Sequence, residues 1–507
     1  MGLSKLTGIG SEPKSGKPYL KLVSVVGLKV TWFMTSLQFR GTVLFSLILL
    51  AGCSDSVQQL ARTQTAAHPE STILAMLNGG IERSPLNLTS HCALDEFYAA
   101  RKYYPVWIKN AKLTSLADSL LDVIHHSDYF GLIPQEYHVS QIDSLVLAFQ
   151  SSPDDLALTA ELDILMTDAL FTIGYHIHYG RVQPSGASWV PRYTDADKKL
   201  IHVLEQSIHK NSIRRGLAVL EPAHAPYKIL RRELQRKLDA LFLAEDDSVK
   251  NLLNAQISEL MINMEQWRLE SKSFSGRYIL VNIPSFKLEV KEHDTLVFES
   301  AVVVGTPQTP TPTLDSNIKS AVLFPYWNVP RDIATLELLP KIKRDSLYLQ
   351  AHRYRVIDMT GNVLNPDSID WKQYHVNNFP FMLQQEEGES NALGIIKFPF
   401  ISDRPIYLHD TNAKRFFKRD LRAYSHGCVR VERALELAKY LAGETRVATD
   451  IDTYIQARQQ QYVSLNPIDV YIRYYTCEAK QDGSVAFHQD VYDWNKGLRD
   501  AIYCRVN

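Results

Sequence analysis

The first half of the folded chain has apolar residues at three- and four-residue spacing, which is typical of helices that bury one face. The clearest stripe, within residues 161–173, consists of Leu162, Leu165, Met166, Ala169, Leu170 and Ile173. A second stripe occupies residues 115–126, and a third begins after the capping residue Asp246. The pattern predicts a helical scaffold domain over residues 73–245 and a connecting helix over residues 246–270.

The pattern changes to two-residue alternation after the connecting helix. Residues 278–283 form a nearly continuous apolar run, as in a buried strand. Phe286, Leu288 and Val290 then alternate with charged residues, which indicates a strand with one face in the core. The sequence therefore predicts a mostly β domain over residues 275–445.

Three further stretches complete the predicted organisation. Residues 306–312 contain three prolines, and they cannot form a central strand because proline lacks the N–H that the ladder needs. Residues 330–390 are rich in charge and mixed in period, which predicts an insertion that caps the sheet. Residues 446–507 contain another alternating run and are predicted to form a C-terminal subdomain. The predicted fold class is α+β, with the helical scaffold domain first and the mostly β domain second.

The start of the chain resembles a bacterial lipoprotein signal peptide over residues 34–52. One basic residue, Arg40, precedes an apolar run shorter than the ~20 residues that a membrane-spanning helix needs. The run ends in Leu-Ala-Gly before Cys53, as in the lipobox, where that cysteine is acylated after cleavage. We expect residues 1–33 to be untranslated or unstructured and residues 53–72 to form a flexible tether. An uncleaved anchor or a chance leucine-rich run is the alternative.

Charge and cysteine content exclude several classes of protein. The chain has 55 Lys and Arg residues against 56 Asp and Glu residues, so it lacks the basic field that holds nucleic acid. Five cysteines in 507 residues are too few for a scaffold built on disulfides. Cys92, Cys477 and Cys504 could include one disulfide in an oxidising compartment, but the sequence cannot pair them. We therefore treat these three cysteines as structural.

One short segment, residues 423–430, carries the strongest chemical signal. Its sequence, Ala-Tyr-Ser-His-Gly-Cys-Val-Arg, places Cys428 after a glycine and close to a histidine. The thiolate is the nucleophilic form of cysteine, so a site of this kind is expected to lower the pKa of the thiol. Gly427 permits close backbone approach, and the N–H groups of Gly427 and Cys428 are candidates for an oxyanion hole.

Two histidines are candidates for the base that accepts the thiol proton. His426 lies two residues before Cys428 and would share its face of an extended strand. His409 lies further upstream, after an apolar pair that suits a strand ending beside the site. Spacing alone does not choose between them. The same three side chains could also bind zinc, but a fourth ligand and the short paired spacings of structural zinc sites are missing.

The motif resembles the catalytic signature of the L,D-transpeptidases, the YkuD-type domain. Ser425–Arg430 matches the Ser-His-Gly-Cys signature, and His409-Asp-Thr matches the upstream histidine motif. Residues 391–398 and 325–330 are similar to segments of the large, YcbB-like subgroup. The resemblance implies that Cys428 is the nucleophile and that His409 is its base.

The resemblance also implies roles for four neighbouring residues. The backbone carbonyl of Asp410 would orient the imidazole ring of the base. His426, Gly427 and Arg430 would shape the motif loop and its oxyanion and substrate contacts.

The resemblance implies a two-step acyl transfer on peptidoglycan tetrapeptide stems, which serve as donor and acceptor. A thioester would form with release of D-Ala, and an amine of a second stem would then take the acyl group in a 3→3 cross-link. No metal or cofactor is implied, and carbapenems are the implied inhibitors. Hydrolysis of the same thioester by an L,D-carboxypeptidase and a catalytically silent, wall-binding lipoprotein are the alternatives.

The expected location is the periplasm, with a lipid anchor in a membrane. Ser54 follows Cys53 at the position where an aspartate would favour the inner membrane. This difference favours the outer membrane.

Overall fold

The computed structural model describes most of the chain after its N-terminal region. The described residues are 69–79, 86–182, 194–270, 274, 276–293, 295–400, 406–443 and 446–503. Residues 1–33, the predicted signal peptide over residues 34–52 and the predicted lipidation site Cys53 lie outside them. The expected tether over residues 53–72 is too long at its C-terminal end, because a helix begins at Pro69 and buries Ile73. None of the described helices is long and apolar enough to cross a membrane.

Helices dominate the first part of the described chain and recur near its end. The α-helices are Pro69–Leu77, His91–Ala100, Ser115–His125, Val139–Ser151, Leu156–Tyr179, Asp195–His209, Ile213–Leu220, Ala225–Leu243, Asp247–Leu269, Leu339–Arg344, Tyr348–Ala351, Ala434–Ala442, Arg446–Ala457 and Asn495–Tyr503. A π-helix spans Ile333–Leu338. Short 3₁₀ helices are Ser127–Phe130, Pro134–Tyr137, Pro366–Ser368, Trp371–Gln373 and Lys414–Lys418.

The helix Leu156–Tyr179 forms the centre of the helical domain. Residues 162–177 are all buried, as expected for a helix whose neighbours surround it. The Asp155 carboxylate caps its N-terminus by accepting from the N–H of Ala157 at 2.8 Å. The surrounding helices bury their apolar stripes against it in one continuous core. The helical pattern of the sequence therefore reflects packing around a single central helix.

Asp163 is a fully buried carboxylate in this central helix. It accepts hydrogen bonds from the Tyr98 hydroxyl at 2.6 Å, the Val106 N–H at 2.9 Å and the Trp107 N–H at 2.8 Å. Burial raises the pKa of this carboxyl to about 6, although the hydrogen bonds oppose the shift. The carboxylate thus ties the loop around Trp107 to the central helix.

We expect Asp163→Ala to lower the free energy of unfolding by about 3 kcal/mol or more, because each buried donor left unsatisfied costs about 1–3 kcal/mol. Urea denaturation followed by circular dichroism measures the change. Asp154→Ala is the matched control, since Asp154 is an exposed aspartate just before the same helix. Equal stability of the two variants would contradict a structural role for the Asp163 carboxylate.

Seventeen strands are present in the described residues. They are β1 Ile108–Lys109, β2 Lys112–Leu113, β3 Arg277–Asn282, β4 Lys287–Glu292, β5 Thr295–Gly305, β6 Leu314–Leu323, β7 Trp327–Asn328, β8 Tyr354–Ile357, β9 Val363–Leu364, β10 Met382–Gln385, β11 Ile396–Phe398, β12 Leu408–His409, β13 Ala423–Ser425, β14 Val429–Val431, β15 Gln461–Arg473, β16 Cys477–Ala479 and β17 Val485–Phe487.

Nine of these strands form one sheet, in the order β13-β5-β14-β12-β11-β6-β15-β3-β4. Strand β4 also pairs with β5, so the sheet closes on itself in a barrel-like arrangement. The inward side chains form one core, to which the helices Ala434–Ala442 and Arg446–Ala457 contribute. The proline-containing residues 306–312 lie outside the strands, in the loop between β5 and β6. This sheet positions the candidate site.

The predicted C-terminal subdomain over residues 446–507 is wrong as a separate unit. Strand β15 lies inside the main sheet, antiparallel to β6 and parallel to β3. The alternating run was visible in the sequence, but a strand pattern does not say which strands it pairs with. Residues after β15 also pack on the helix Asp247–Leu269, where the Asn263 side chain accepts from the N–H of Cys477 at 3.0 Å.

The connecting helix predicted over residues 246–270 is observed as Asp247–Leu269 and has a larger structural role than a connector. It packs on the helix Ala225–Leu243 and on the C-terminal residues Tyr475 and Ile502 in a separate apolar core. Cys477, buried in this core, is a free thiol, as is the exposed Cys92. Cys504 lies outside the described residues.

The insertion between residues 330 and 390 has a core of its own. The small sheet β7-β10-β8-β9 packs with the π-helix and the helix after it around Leu338, Ile342, Val356 and Leu383. Trp327 and Trp371 pack against this core, and Trp107 is buried in the helical domain. All three tryptophans thus serve packing.

Candidate active site

Three polar side chains form a row across adjacent strands of the main sheet. His409 of β12 lies opposite Lys397 of β11 and opposite Arg430 of β14. Residues that are directly opposite one another point to the same face. The neighbouring positions Leu408 and Val429 point to the core. We call the face that carries the row the site face.

Cys428 extends the site face by one position along β14. It lies two residues before Arg430, just before the strand begins, and is half-buried. Tyr407 occupies the matching position before β12, where its carbonyl accepts from the N–H of Val429 at 3.2 Å. The Tyr407 side chain is hydrogen-bonded to Cys428. The parallel register therefore places Cys428 diagonally across from His409 on one face.

The orientation of His409 follows from one hydrogen bond. Its Nδ1 lies within hydrogen-bond distance of the backbone carbonyl oxygen of Asp410. A carbonyl only accepts, so Nδ1 carries the proton and Nε2 is the basic nitrogen of the neutral ring. Burial lowers the pKa of His409 to about 3, and the neighbouring Arg430 and Lys397 add to the effect. The ring is therefore neutral at physiological pH.

The Asp410 carboxylate points away from the imidazole. Its Oδ2 accepts from the N–H of Ile395 at 3.0 Å, and its Oδ1 pairs with Lys414. The side chain thus holds the loop before β11, while the backbone carbonyl contacts the histidine.

Burial raises the pKa of the Cys428 thiol, although Tyr407, Lys397 and Arg430 oppose the shift. This direction is opposite to the lowered pKa expected from the sequence. The helix Ala434–Ala442 begins only after strand β14, so Cys428 does not stand at its positively charged N-terminus. A neutral thiol next to a neutral imidazole is suited to proton transfer during attack rather than to a resting ion pair.

His426 is directed away from Cys428 and into the insertion. Its Nε2 lies 2.5 Å from the carboxylate of Glu337 in the π-helix. The expectation that His426 and Cys428 share a face is wrong, because Gly427 between them has a φ of +108° and breaks the alternation. His426 therefore connects the motif loop, Ser425–Cys428, to the insertion.

The Ser425 side chain stabilises the backbone of the motif loop through two hydrogen bonds. The Ser425 hydroxyl donates to the Cys428 carbonyl at 2.5 Å and accepts from the Gly427 N–H at 3.2 Å. The N–H of Gly427 is thus engaged within the loop, which disagrees with its expected role in an oxyanion hole. The positive φ of Gly427 explains instead why a glycine stands there.

Thr311, in the proline-containing loop before β6, supports the motif loop. Its buried hydroxyl accepts from the Gly305 N–H at 2.9 Å and donates to the Gly427 carbonyl at 2.8 Å. Tyr492 donates to the Gly305 carbonyl at 2.7 Å and accepts from the Thr311 N–H at 3.2 Å. Sequence reasoning missed both residues, since nothing in their local pattern indicates contacts so distant along the chain.

We expect Thr311→Val to lower the free energy of unfolding by about 2–4 kcal/mol, because the isosteric side chain leaves two buried backbone groups without a partner. Reaction of the Cys428 thiol with an electrophile such as iodoacetamide should slow by about tenfold or more as the loop shifts. Thr313→Val, at an exposed threonine in the same loop, is the control. Unchanged stability and reactivity in Thr311→Val would contradict the supporting role.

The described residues contain no group of three or more His, Cys, Asp and Glu side chains that could hold a metal ion. His426 is directed to Glu337 and away from Cys428 and His409, so these three residues do not form the zinc site considered above.

Comparisons with known protein families agree with this arrangement. Residues 93–234 match the model of a scaffold domain, and residues 276–449 match the model of the L,D-transpeptidase catalytic domain. These matches confirm the predicted α+β order of a helical scaffold followed by a mostly β YkuD domain.

A curated relative leads to the same family. A Haemophilus influenzae protein named "Putative L,D-transpeptidase" is 30% identical over 415 residues, covering 80% of this chain and 78% of that protein. An L,D-transpeptidase structure from Mycobacterium smegmatis matches with 10% identity and a TM-score of 0.19. The structure of LdtMt1 in complex with imipenem matches with 10% identity and a TM-score of 0.18. Both matches cover 39% of this chain and 59% of the other chain, and at these TM-scores they carry no argument. On the family models and the curated relative, the chain belongs to the L,D-transpeptidase family.

Proposed function

We propose that this protein is a peptidoglycan L,D-transpeptidase that forms 3→3 cross-links through a thioester on Cys428. The donor is a tetrapeptide stem, and the leaving group is its terminal D-Ala. The observation that carries the proposal is the orientation of His409. With its Nδ1–H donated to the Asp410 carbonyl, the ring keeps Nε2 as a base on the face that carries Cys428.

The first step is attack of the Cys428 Sγ on the carbonyl carbon of the third stem residue. The thiol proton passes to Nε2 of His409 as the carbon–sulfur bond forms. The tetrahedral intermediate then breaks its carbon–nitrogen bond, and His409 returns the proton to the departing amine of D-Ala. The acyl group is left as a thioester on Cys428.

The second step transfers the acyl group to a neighbouring stem. The side-chain amine of the acceptor attacks the thioester carbonyl, and His409 takes a proton from that amine. Collapse of the second intermediate forms the cross-linking amide and expels the thiolate, which His409 protonates. The thioester conserves the energy of the original amide, so the reaction needs no external energy source.

Incubation of the purified protein with tetrapeptide muropeptides tests the proposal. We expect cross-linked dimers and free D-Ala, with a transient mass increase on the protein equal to the acyl group. Formation of tripeptides alone would favour the L,D-carboxypeptidase instead. Absence of any acyl-enzyme would leave only a non-catalytic wall-binding role. A carbapenem should add its whole mass to the intact protein, because ring opening releases no leaving group.

The lipid anchor and the location are part of the same proposal. A cleaved signal over residues 34–52 and acylation of Cys53 would hold the enzyme in the periplasm, where its substrate lies. Ser54 favours the outer membrane. Membrane fractionation of the natural protein, with a Cys53→Ala control that should lose membrane association, tests this placement.

A further inference from the structure

The site face carries two cations that take no part in the proton transfers proposed above. Lys397 and Arg430 flank His409 from the strands on either side, β11 and β14. Neither forms an ion pair with a carboxylate within the described parts of the chain. The carboxylate of Asp410, which follows His409 in the sequence, contacts Lys414 and the N–H of Ile395 instead.

Lys397 lies close to the thiol. Its ammonium group is 3.9 Å from the centre of the Tyr407 ring, and Tyr407 is hydrogen-bonded to Cys428. Both Lys397 and Arg430 interact electrostatically with Cys428. The guanidinium group of Arg430 lies 5.9 Å from the centre of the Phe416 ring. The guanidinium group of Arg415 lies 4.8 Å from the centre of the same ring.

Burial lowers the pKa of both cations, which means that the protein keeps each charge at a cost in solvation. Half-buried positive charges of this kind are stabilised by an anion that enters the site. The other titratable groups on the face, His409, Tyr407 and Cys428, are neutral in the resting protein and do not supply that anion. The charge pattern therefore fits an anionic ligand.

The proposed donor presents an anion at the required place. Three covalent bonds separate the attacked carbonyl carbon from the carboxylate carbon of the terminal residue, so the two atoms lie within about 4 Å of each other. When the carbonyl carbon is in contact with the Cys428 sulfur, the carboxylate must lie among the side chains around that sulfur. Lys397 and Arg430 are the cations there.

We propose that Lys397 and Arg430 form a carboxylate-binding pair for the free C-terminal carboxylate of the donor stem. This inference rests on the proposed function and adds a basis for its donor specificity. The pair selects stems that end one residue beyond the scissile amide, since a longer stem has an uncharged amide at that position. Binding of the carboxylate also offsets the two charges beside His409, which makes protonation of the ring less unfavourable.

The test compares two donors that differ only in this carboxylate. The donors are the tetrapeptide stem and the same stem ending in a carboxamide, and the measured quantity is the release of the terminal residue as kcat/KM. For the wild type we expect the carboxylate donor to be favoured by about 10- to 100-fold, the usual effect of a hydrogen bond to a charged group. In Lys397→Met the preference should fall to within about threefold, and Lys397→Arg should restore most of it.

Lys319→Met is the matched control, because Lys319 is an exposed lysine on the adjacent strand β6. It should keep the wild-type preference. The ratio of the two donors cancels any general loss of activity from an altered fold, so a merely structural role of Lys397 would lower both rates and leave the ratio unchanged. That result would overturn the inference.

Two further outcomes separate this inference from the proposed function. Equal rates with both donors in the wild type would overturn the carboxylate pair while leaving the transpeptidase proposal intact. Failure of the wild type to form an acyl-enzyme with either donor would overturn the proposed function and this inference with it.

Discussion

We expect Cys428→Ala to abolish the acyl-enzyme and to lower the rate of D-Ala release by at least about 10⁴-fold. The reason is that no other side chain on the site face replaces the sulfur as nucleophile. Cys428 is half-buried and the smaller alanine fits its place, so the fold should persist. Intact-protein mass spectrometry after treatment with tetrapeptide stems or a carbapenem measures the adduct. The wild type should carry one adduct per chain and the variant none.

The structure supplies a matched control for this substitution. Cys92 is a free cysteine that is exposed in the helical domain and lies far in sequence from the motif loop. Cys92→Ala should therefore form the adduct at the wild-type rate. Adduct formation in Cys428→Ala with an unchanged thermal unfolding curve would remove Cys428 from the mechanism.

His409→Gln is expected to lower kcat/KM for acylation by about 10²–10⁴-fold, because glutamine cannot accept the thiol proton. His426→Gln is the discriminating control, since His426 is directed to Glu337 and should not act as the base. We expect a change of less than about tenfold in that variant. The opposite order of effects would transfer the role of base from His409 to His426.

The pH profile of the wild type offers a second test of His409. Its pKa is held at about 3, so the imidazole stays unprotonated as the pH falls from 7 to 5. An ordinary histidine with a pKa of about 6.5 would become mostly protonated over the same range. We therefore expect kcat/KM, which reports groups of the free enzyme, to stay nearly constant between pH 5 and pH 7. A steep loss centred near pH 6.5 would contradict the assignment.

The sequence predicted the elements well where one periodicity dominated over many residues. The stripe within residues 161–173 belongs to the central helix Leu156–Tyr179, and the cap at Asp246 precedes the helix Asp247–Leu269. The change of period near residue 277 coincides with strand β3. These features depend on local spacing, which the sequence contains directly.

The sequence predicted pairing and electrostatics poorly, because both depend on residues far apart along the chain. The lower thiol pKa expected for Cys428 ignored the cost of burial, which the sequence does not display. Thr311 supports the motif loop over more than a hundred intervening residues. The sequence does contain a signal for Tyr407 as a site residue, since Tyr407 lies two residues before His409 in the same extended segment. Same-face alternation would have indicated Tyr407 once the strand was assigned.

The position of β15 in the sheet has a consequence for how the protein is made. Its neighbours β6 and β3 precede it by more than a hundred residues. During synthesis, the backbone edges of both strands therefore stay unpaired until residues 461–473 have left the ribosome. Long-range strand pairing of this kind is slow, and until it is complete the unpaired strand edges can pair with other chains and cause aggregation. A nascent chain of this protein therefore needs protection from aggregation until residues 461–473 have been synthesised, and we expect a chain truncated before residue 461 to aggregate.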